Sequence, residues 1–246
     1  MINSESDIQL AQRLAHDAGE ILLGLQSAGL ITGKELGKLG DARANALLMR
    51  ELRVARPQDA ILCEEEKDSP ARLSHQRVWI IDPLDGTREY GEGRRDWAVH
   101  VGLSVDGVAT LGAVALPPLG ITMLSSNPVR LKAVNQPPRM LVSRTRPAKE
   151  ALDVAKALNA ALVPMGSAGA KAMAVLRGEA EIYLHTGGQY EWDNCAPVAV
   201  AAAHGLHVSR IDGGPMVYNQ ADAYMPDLLI CRQELLPAVR AALAAL

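Results

Sequence analysis

The chain has 246 residues, 48% of them hydrophobic and 22% charged, enough to bury a large core as one domain or as two closely packed halves. No stretch approaches the ~20 uninterrupted apolar residues of a membrane span. A net charge of −3 without a lysine or arginine block excludes a nucleic-acid polymer as the expected ligand. A small phosphorylated ligand stays open, because divalent cations can sit between an acidic pocket and an anion.

The N-terminus lacks a basic region followed by an apolar core, and Cys63, Cys195 and Cys231 are odd in number and widely spaced. Both features predict a cytoplasmic protein with reduced thiols. Residues 4–27 predict a helix, with Ile8, Leu14, Ile21, Leu22 and Leu25 at helical spacing and Ser4 with Asp7 resembling a capping box. A glycine-rich loop, "GLITGKELGKLG", is expected next. Asp41 then stands as the N-cap of a helix carrying Leu47, Leu48 and Leu52 and stopping at Pro57.

The run Ala60-Ile61-Leu62-Cys63 reads as a strand ending in Glu64-Glu65-Glu66, and "VWII" reads as a second strand ending in Asp82-Pro83-Leu84-Asp85-Gly86-Thr87. "AVHVGLSV" and "VATLGAVAL" flank Asp106-Gly107, a hairpin signal. After the polar segment that ends at Pro138, "RMLVSR", a helix from about Ala148, "GSAGAKAMAVLRG" and "EAEIYLH" alternate strand with helix. A helix opening near Asp193 closes at Gly205. The chain thus divides into an α+β part, residues 1–120, and an α/β part, residues 121–246.

Three acidic clusters therefore fall at the ends of strands or the start of a helix. Carboxylates brought together raise one another's pKa values unless a hard divalent ion sits among them. Pro83 restricts the turn between Asp82 and Asp85, and Gly86 lets the backbone approach a phosphate. Asp-Pro and Asp-Gly are each ordinary turn signals, and Glu64 to Glu66 alone suit a solvated face. The combined D-P-x-D-G-T string arises by accident in such a chain with a chance on the order of one in ten thousand.

An isolated Asp41, then Glu64-Glu65, then Asp82 to Thr87, then Trp192-Asp193-Asn194-Cys195-Ala196 resembles, in order and spacing, the lithium-sensitive, magnesium-dependent phosphomonoesterases of the inositol monophosphatase superfamily. The likeness spans nearly the whole chain. It implies a layered αβαβα sugar-phosphatase fold, mixing α+β and α/β parts, with the active site in the cleft between two subdomains. It also implies two or three Mg²⁺ held by Glu64, Asp82, the Leu84 carbonyl, Asp85 and Asp193, with Glu65 supporting from outside the coordination sphere. Thr87, paired with Asp41, would orient the attacking water, with the phosphate on the Gly86 and Thr87 amides. Relatives of this kind are commonly homodimers.

"SRTR", "GSAGAKAMAVLRGEAEIYLH" and "GGQYEWDNCAPVAVA" resemble the branch that hydrolyses 3′-phosphoadenosine 5′-phosphate in sulfate assimilation. That likeness implies Ser143 and Arg144 near the nucleotide, with Ser167 and Lys171 reaching its second phosphate. The branch often has a histidine and a second serine where this chain has Arg146 and Ala168. Inositol monophosphate and fructose 1,6-bisphosphate stay open as substrates, as does a non-catalytic nucleotide sensor. A haloacid-dehalogenase-like phosphatase uses D-x-D-G-T, whereas two residues separate the aspartates here. Cys63 is expected to be buried and inert, His204 and His207 not to be ligands, and "LLPAVRAALAAL" to be a core-packed helix.

Overall fold

The computed structural model describes residues 5–126 and 128–246. Helix α1 (Asp7–Ala28) starts at Ser6, which accepts the Gln9 N–H while the Gln9 side chain accepts the Ser6 N–H. The capping box is therefore Ser6–Gln9; the expected Ser4 lies outside the described residues. Helix α2 (Gly33–Ala55) absorbs most of the stretch expected to be a loop, so Asp41 sits inside the helix and is not its N-cap. Leu36, Ala44, Leu48 and Leu52 form a continuous buried stripe that carries the helix through the glycines. A Cβ on Gly37 would lie 2.7 Å from Thr87 Cγ2, and one on Gly40 would lie 2.8 Å from the Tyr90 ring. Each glycine costs about 1 kcal/mol of helix propensity relative to alanine. Close packing outweighs that cost and draws Asp41 toward Thr87.

The first sheet comprises β1 (Ala60–Cys63), β2 (Arg77–Asp85), β3 (Ala98–Val105), β4 (Val108–Leu116) and β5 (Ile121–Leu124), in that spatial order. β1 and β2 are parallel and the other pairs antiparallel. Asp106 and Gly107 both take positive φ, as a two-residue hairpin turn between right-twisted strands requires. Side chains alternate: Trp79 and Ile81 pack against α1 and α2, whereas Val78 and Ile80 join the opposite core. β5 extends this sheet beyond the expected strands, and the second sheet begins with the strand that starts at Arg139. The short helix α3 (Thr87–Gly91) follows β2 directly.

The second sheet comprises β6 (Arg139–Ser143), β7 (Ala161–Met165), β8 (Ile182–Tyr190), β9 (His207–Ser209) and β10 (Tyr224–Cys231), ordered β7-β6-β8-β10-β9. Helices α4 (Lys149–Ala157), α5 (Ala168–Leu176), α6 (Glu191–Ala203) and α7 (Leu236–Leu243) complete the molecule. α1 and α2 cover one face of the first sheet, α5 and α6 lie between the sheets, and α4 and α7 cover the far face of the second. This is the expected five-layer arrangement. Val239 of α7 is fully buried, so the C-terminal helix packs on the core as expected.

Close approach of α6 to the first sheet depends on two cross-strand glycines, Gly102 and Gly112. A Cβ on Gly112 would lie 2.4 Å from the Ala196 carbonyl oxygen, and one on Gly102 would lie 2.9 Å from the Ala196 nitrogen. Ala196 is one helical turn beyond Asp193, so bare backbone in the sheet sets the depth of that carboxylate.

Candidate active site

Strand alternation alone would send Asp82 and Asp85, three residues apart, to opposite faces. A bulge corrects the parity: Asp82 pairs with His100 and Asp85 with Ala98, so Pro83 and Leu84 stand opposite a single partner residue. Proline suits this place because a bulged residue gives up its ladder hydrogen bond. Asp82 Oδ1 accepts the Leu84 N–H at 3.0 Å, fixing the turn. Gly86 follows with φ 91°, and a Cβ there would meet Asp96 O, Ser167 Cβ and Trp97 Cβ, each at 3.2 Å.

Oxygens of Asp82, Asp85 and Asp193 come within 4.8 Å of one another. Glu64, exposed just beyond β1, is outside that trio but close enough for its charge to act on Asp82 and Asp193. Burial, then Glu64, Asp85 and Asp193, push the Asp82 carboxyl well above the usual carboxylate range. Burial and Asp85 lift Asp193 to about 7. Burial likewise raises Glu64. Asp85 runs the other way: burial pushes it up, but His100, Ser167 and Lys171 overcome that and hold it at about 2. An all-oxygen donor set in which Asp82, Asp193 and Glu64 resist ionisation around a charged Asp85 fits a hard divalent cation.

The contacts to Asp85 converge on Oδ2, from the Ser167 hydroxyl, the Gly169 N–H at 2.7 Å and His100 Nε2 at 3.2 Å. Asp193, in the first turn of α6, accepts the Tyr190 N–H at 2.6 Å, so it caps the helix and joins the acidic group at once. Thr87 Oγ1 donates to the Leu84 carbonyl at 3.1 Å and lies 3.5 Å from Asp41 Oδ1. Burial, then Glu65 and Glu64, raise Asp41 to about 7.

A cavity of about 510 Å³ opens beside these groups and is bounded by both halves of the chain. Ser143, Ser167, Lys171, Arg146 and His185 line it. Two of the expected nucleotide contacts are otherwise engaged. Arg144 pairs with Glu89 and Glu92 and is not on the cavity wall, whereas Arg146 is. Lys171 Nζ donates to the Ser167, Gly166 and Met165 carbonyls at 2.6, 3.2 and 3.5 Å, and stands over the Tyr183 ring. It brings charge to the cavity while pinning the loop before α5. Ser143 Oγ accepts the Arg146 N–H at 3.2 Å.

Sequence reasoning missed His100 and gave Arg146 and His185 no role. A histidine inside the apolar run "AVHVGLSV" is itself a signal, since a buried imidazole requires polar partners. Cys63 is buried, its thiol pushed up to about 12 by burial, and His204 and His207 bond to Val200 O and Ser209 Oγ away from the cluster.

A layered α/β fold with a carboxylate cluster suited to cations, opening on a phosphate-sized and larger cavity, defines a metal-dependent hydrolase of phosphate esters. The chain belongs to the inositol monophosphatase family, whose sequence profile matches residues 4–244. It is 47% identical to the 3′-phosphoadenosine 5′-phosphate phosphatase of Mycobacterium leprae, over 94% of this chain and 91% of that one. It is 27% identical to the 3′(2′),5′-bisphosphate nucleotidase CysQ of Escherichia coli, covering 75% and 80% of the two chains. The crystal structure of CysQ from Bacteroides thetaiotaomicron superposes with a TM-score of 0.80 at 22% identity, covering 95% of this chain and 99% of that one, and shows the same fold. Among the described residues no helix is long and apolar enough to cross a membrane.

Proposed function

We propose that this chain hydrolyses the 3′-phosphate of 3′-phosphoadenosine 5′-phosphate, using Mg²⁺ held by Glu64, Asp82, the Leu84 carbonyl, Asp85 and Asp193. The observation that carries the substrate choice is the cavity: its lining runs from Asp85 and Asp193 to Arg88, Arg146, His185 and Lys171. Neither Arg88 nor Arg146 has an ion-pair partner among the described residues, so both guanidiniums are available to a second phosphate. A volume of about 510 Å³ suits a nucleotide and exceeds what an inositol monophosphate fills. The names of the relatives agree with this reading.

Bound divalent cations supply an activated water and stabilise charge on the leaving oxygen. The protein's own groups do the remaining work. Thr87, whose hydroxyl lies 3.5 Å from Asp41 Oδ1, would orient the water together with Asp41. Gly86 and Thr87 offer backbone N–H groups to the phosphate, and Arg146, backed by the Lys171 charge, fixes the far phosphate. Nothing in this scheme requires a covalent phosphoenzyme.

Phosphate release is measured with Mg²⁺ from 3′-phosphoadenosine 5′-phosphate, inositol 1-phosphate and fructose 1,6-bisphosphate, with and without lithium. The expected result is a large kcat/KM preference for the nucleotide, reduced by Arg146→Ala, and inhibition by lithium. Equal or greater turnover of the sugar phosphates would overturn the substrate assignment and leave the metal chemistry standing.

A further inference from the structure

His100 lies in the middle of β3, directly opposite Asp82 in the β2–β3 register, and has no solvent exposure. An imidazole so placed needs a reason, since burying an unpaired polar ring costs several kcal/mol on the order of other buried polar groups. Both of its nitrogens face acceptors. Nδ1 is 3.0 Å from the Trp192 carbonyl oxygen, and Nε2 is 3.2 Å from Asp85 Oδ2. The Nδ1 contact is a hydrogen bond, whereas Nε2 lies against the Asp85 carboxylate without a well-directed one, so the ring is placed by the Trp192 carbonyl and by close packing on Asp85.

Space for the ring is reserved by another residue. A Cβ on Gly169 would lie 2.0 Å from Nε2, so only glycine at this position of α5 leaves room for the imidazole. The Gly169 N–H donates to the same oxygen, Asp85 Oδ2, that the ring faces. The imidazole therefore stands where β3, the first turn of α5 and the first turn of α6 converge. Its two contacts fall on the side chain of Asp85 and on the carbonyl of the residue before Asp193.

We infer that His100 is a positioning residue for the metal site, a buried imidazole that bridges Asp85 of the first sheet and the Trp192–Asp193 turn of α6. The inference rests on the ligand assignment above. By lying against Oδ2, beside the Ser167 and Gly169 donors, the imidazole fixes the orientation of the Asp85 carboxylate. By holding the Trp192 carbonyl, it fixes the start of α6 and with it the Asp193 carboxylate. Such supporting partners of metal ligands commonly change metal affinity by about 10–100-fold.

The test uses full-length protein with Mg²⁺ as the probe, titrated calorimetrically in the absence of substrate. His100→Ala, His100→Gln and Gly169→Ala are compared with wild type, and Asp82→Asn serves as the control for the ligand set. His100→Ala should weaken Mg²⁺ binding about 10–100-fold. His100→Gln, which keeps one donor, should lose less, and Gly169→Ala should behave like His100→Ala because it displaces the ring. Saturating Mg²⁺ should restore more of kcat in the His100 variants than in Asp82→Asn. Mg²⁺ affinity within threefold of wild type in every folded variant, with Asp82→Asn still defective, would overturn the inference alone. Unchanged affinity in Asp82→Asn would overturn the ligand assignment instead. Loss of the fold in all three test variants, by circular dichroism, would assign the ring to core stability and also overturn the inference.

Discussion

Gly112→Ala tests whether the depth of α6 controls the site. The added methyl would sit 2.4 Å from the Ala196 carbonyl oxygen and 3.0 Å from Ala196 Cα, backbone atoms that cannot rotate away. An ordinary contact begins near 3.4 Å, so the helix must move out by about 1 Å at that point. Overpacking of this kind costs about 1–3 kcal/mol of stability. Because Asp193 is one turn away on the same helix, the carboxylate moves with it, away from Asp82 and Asp85. Misplacement of a reacting group by about 1 Å costs on the order of 10²-fold in rate, equivalent to about 2.7 kcal/mol. The assay is kcat/KM as a function of Mg²⁺ concentration, alongside thermal unfolding. Gly24→Ala is the control, since a Cβ there meets nothing within 4 Å. A Gly112→Ala enzyme that is destabilised but keeps wild-type kcat/KM and Mg²⁺ dependence would refute the link between the glycine pair and Asp193.

Asp82→Asn should remove turnover and weaken Mg²⁺ binding in calorimetry, because it deletes the charge most enclosed by the other carboxylates. Thr87→Ala should leave Mg²⁺ binding near wild type and lower kcat by about 10²-fold, as loss of a positioning group does; a wild-type rate would remove Thr87 from the mechanism. In EDTA the protein should melt at a higher temperature at pH 6.5 than at pH 8. Asp82, Glu64, Asp193 and Asp41 have raised folded pKa values, so the folded state binds protons that the unfolded state does not, and stability falls as pH rises through about 7. Below about 6.5, His185 and His207, held down by burial, work in the opposite direction, which sets the lower limit of the window. Saturating Mg²⁺ should abolish or reverse the difference, read by differential scanning fluorimetry; a metal-free protein more stable at pH 8 would refute the electrostatic picture.

What the sequence determined by itself is local chemistry with a fixed order along the chain. The D-P-x-D-G-T string, the Glu-Glu pair and the Trp-Asp step carry their residue types and their strand-end or helix-start context in adjacent positions, so the carboxylate clusters are legible in the sequence, and the family resemblance they carry implies the layered fold. The Asp106-Gly107 turn was readable for the same reason, since a hairpin is decided by the φ values two residues can adopt.

The tertiary structure decided whatever depended on residues distant in sequence. Asp41 reads as a cap because glycines precede it, yet Gly37 and Gly40 are there to meet Thr87 and Tyr90, some 50 residues away. The bulge that turns Asp82 and Asp85 to one point exists only against β3. Arg144 and Arg146 are near equivalents in "SRTR", and only Glu89 and Glu92, reaching across from α3 and its C-terminal end, take one and leave the other to the cavity. Local propensity is written in neighbouring residues, whereas desolvation, close backbone approach and ion pairing arise between elements that meet only when the chain has folded.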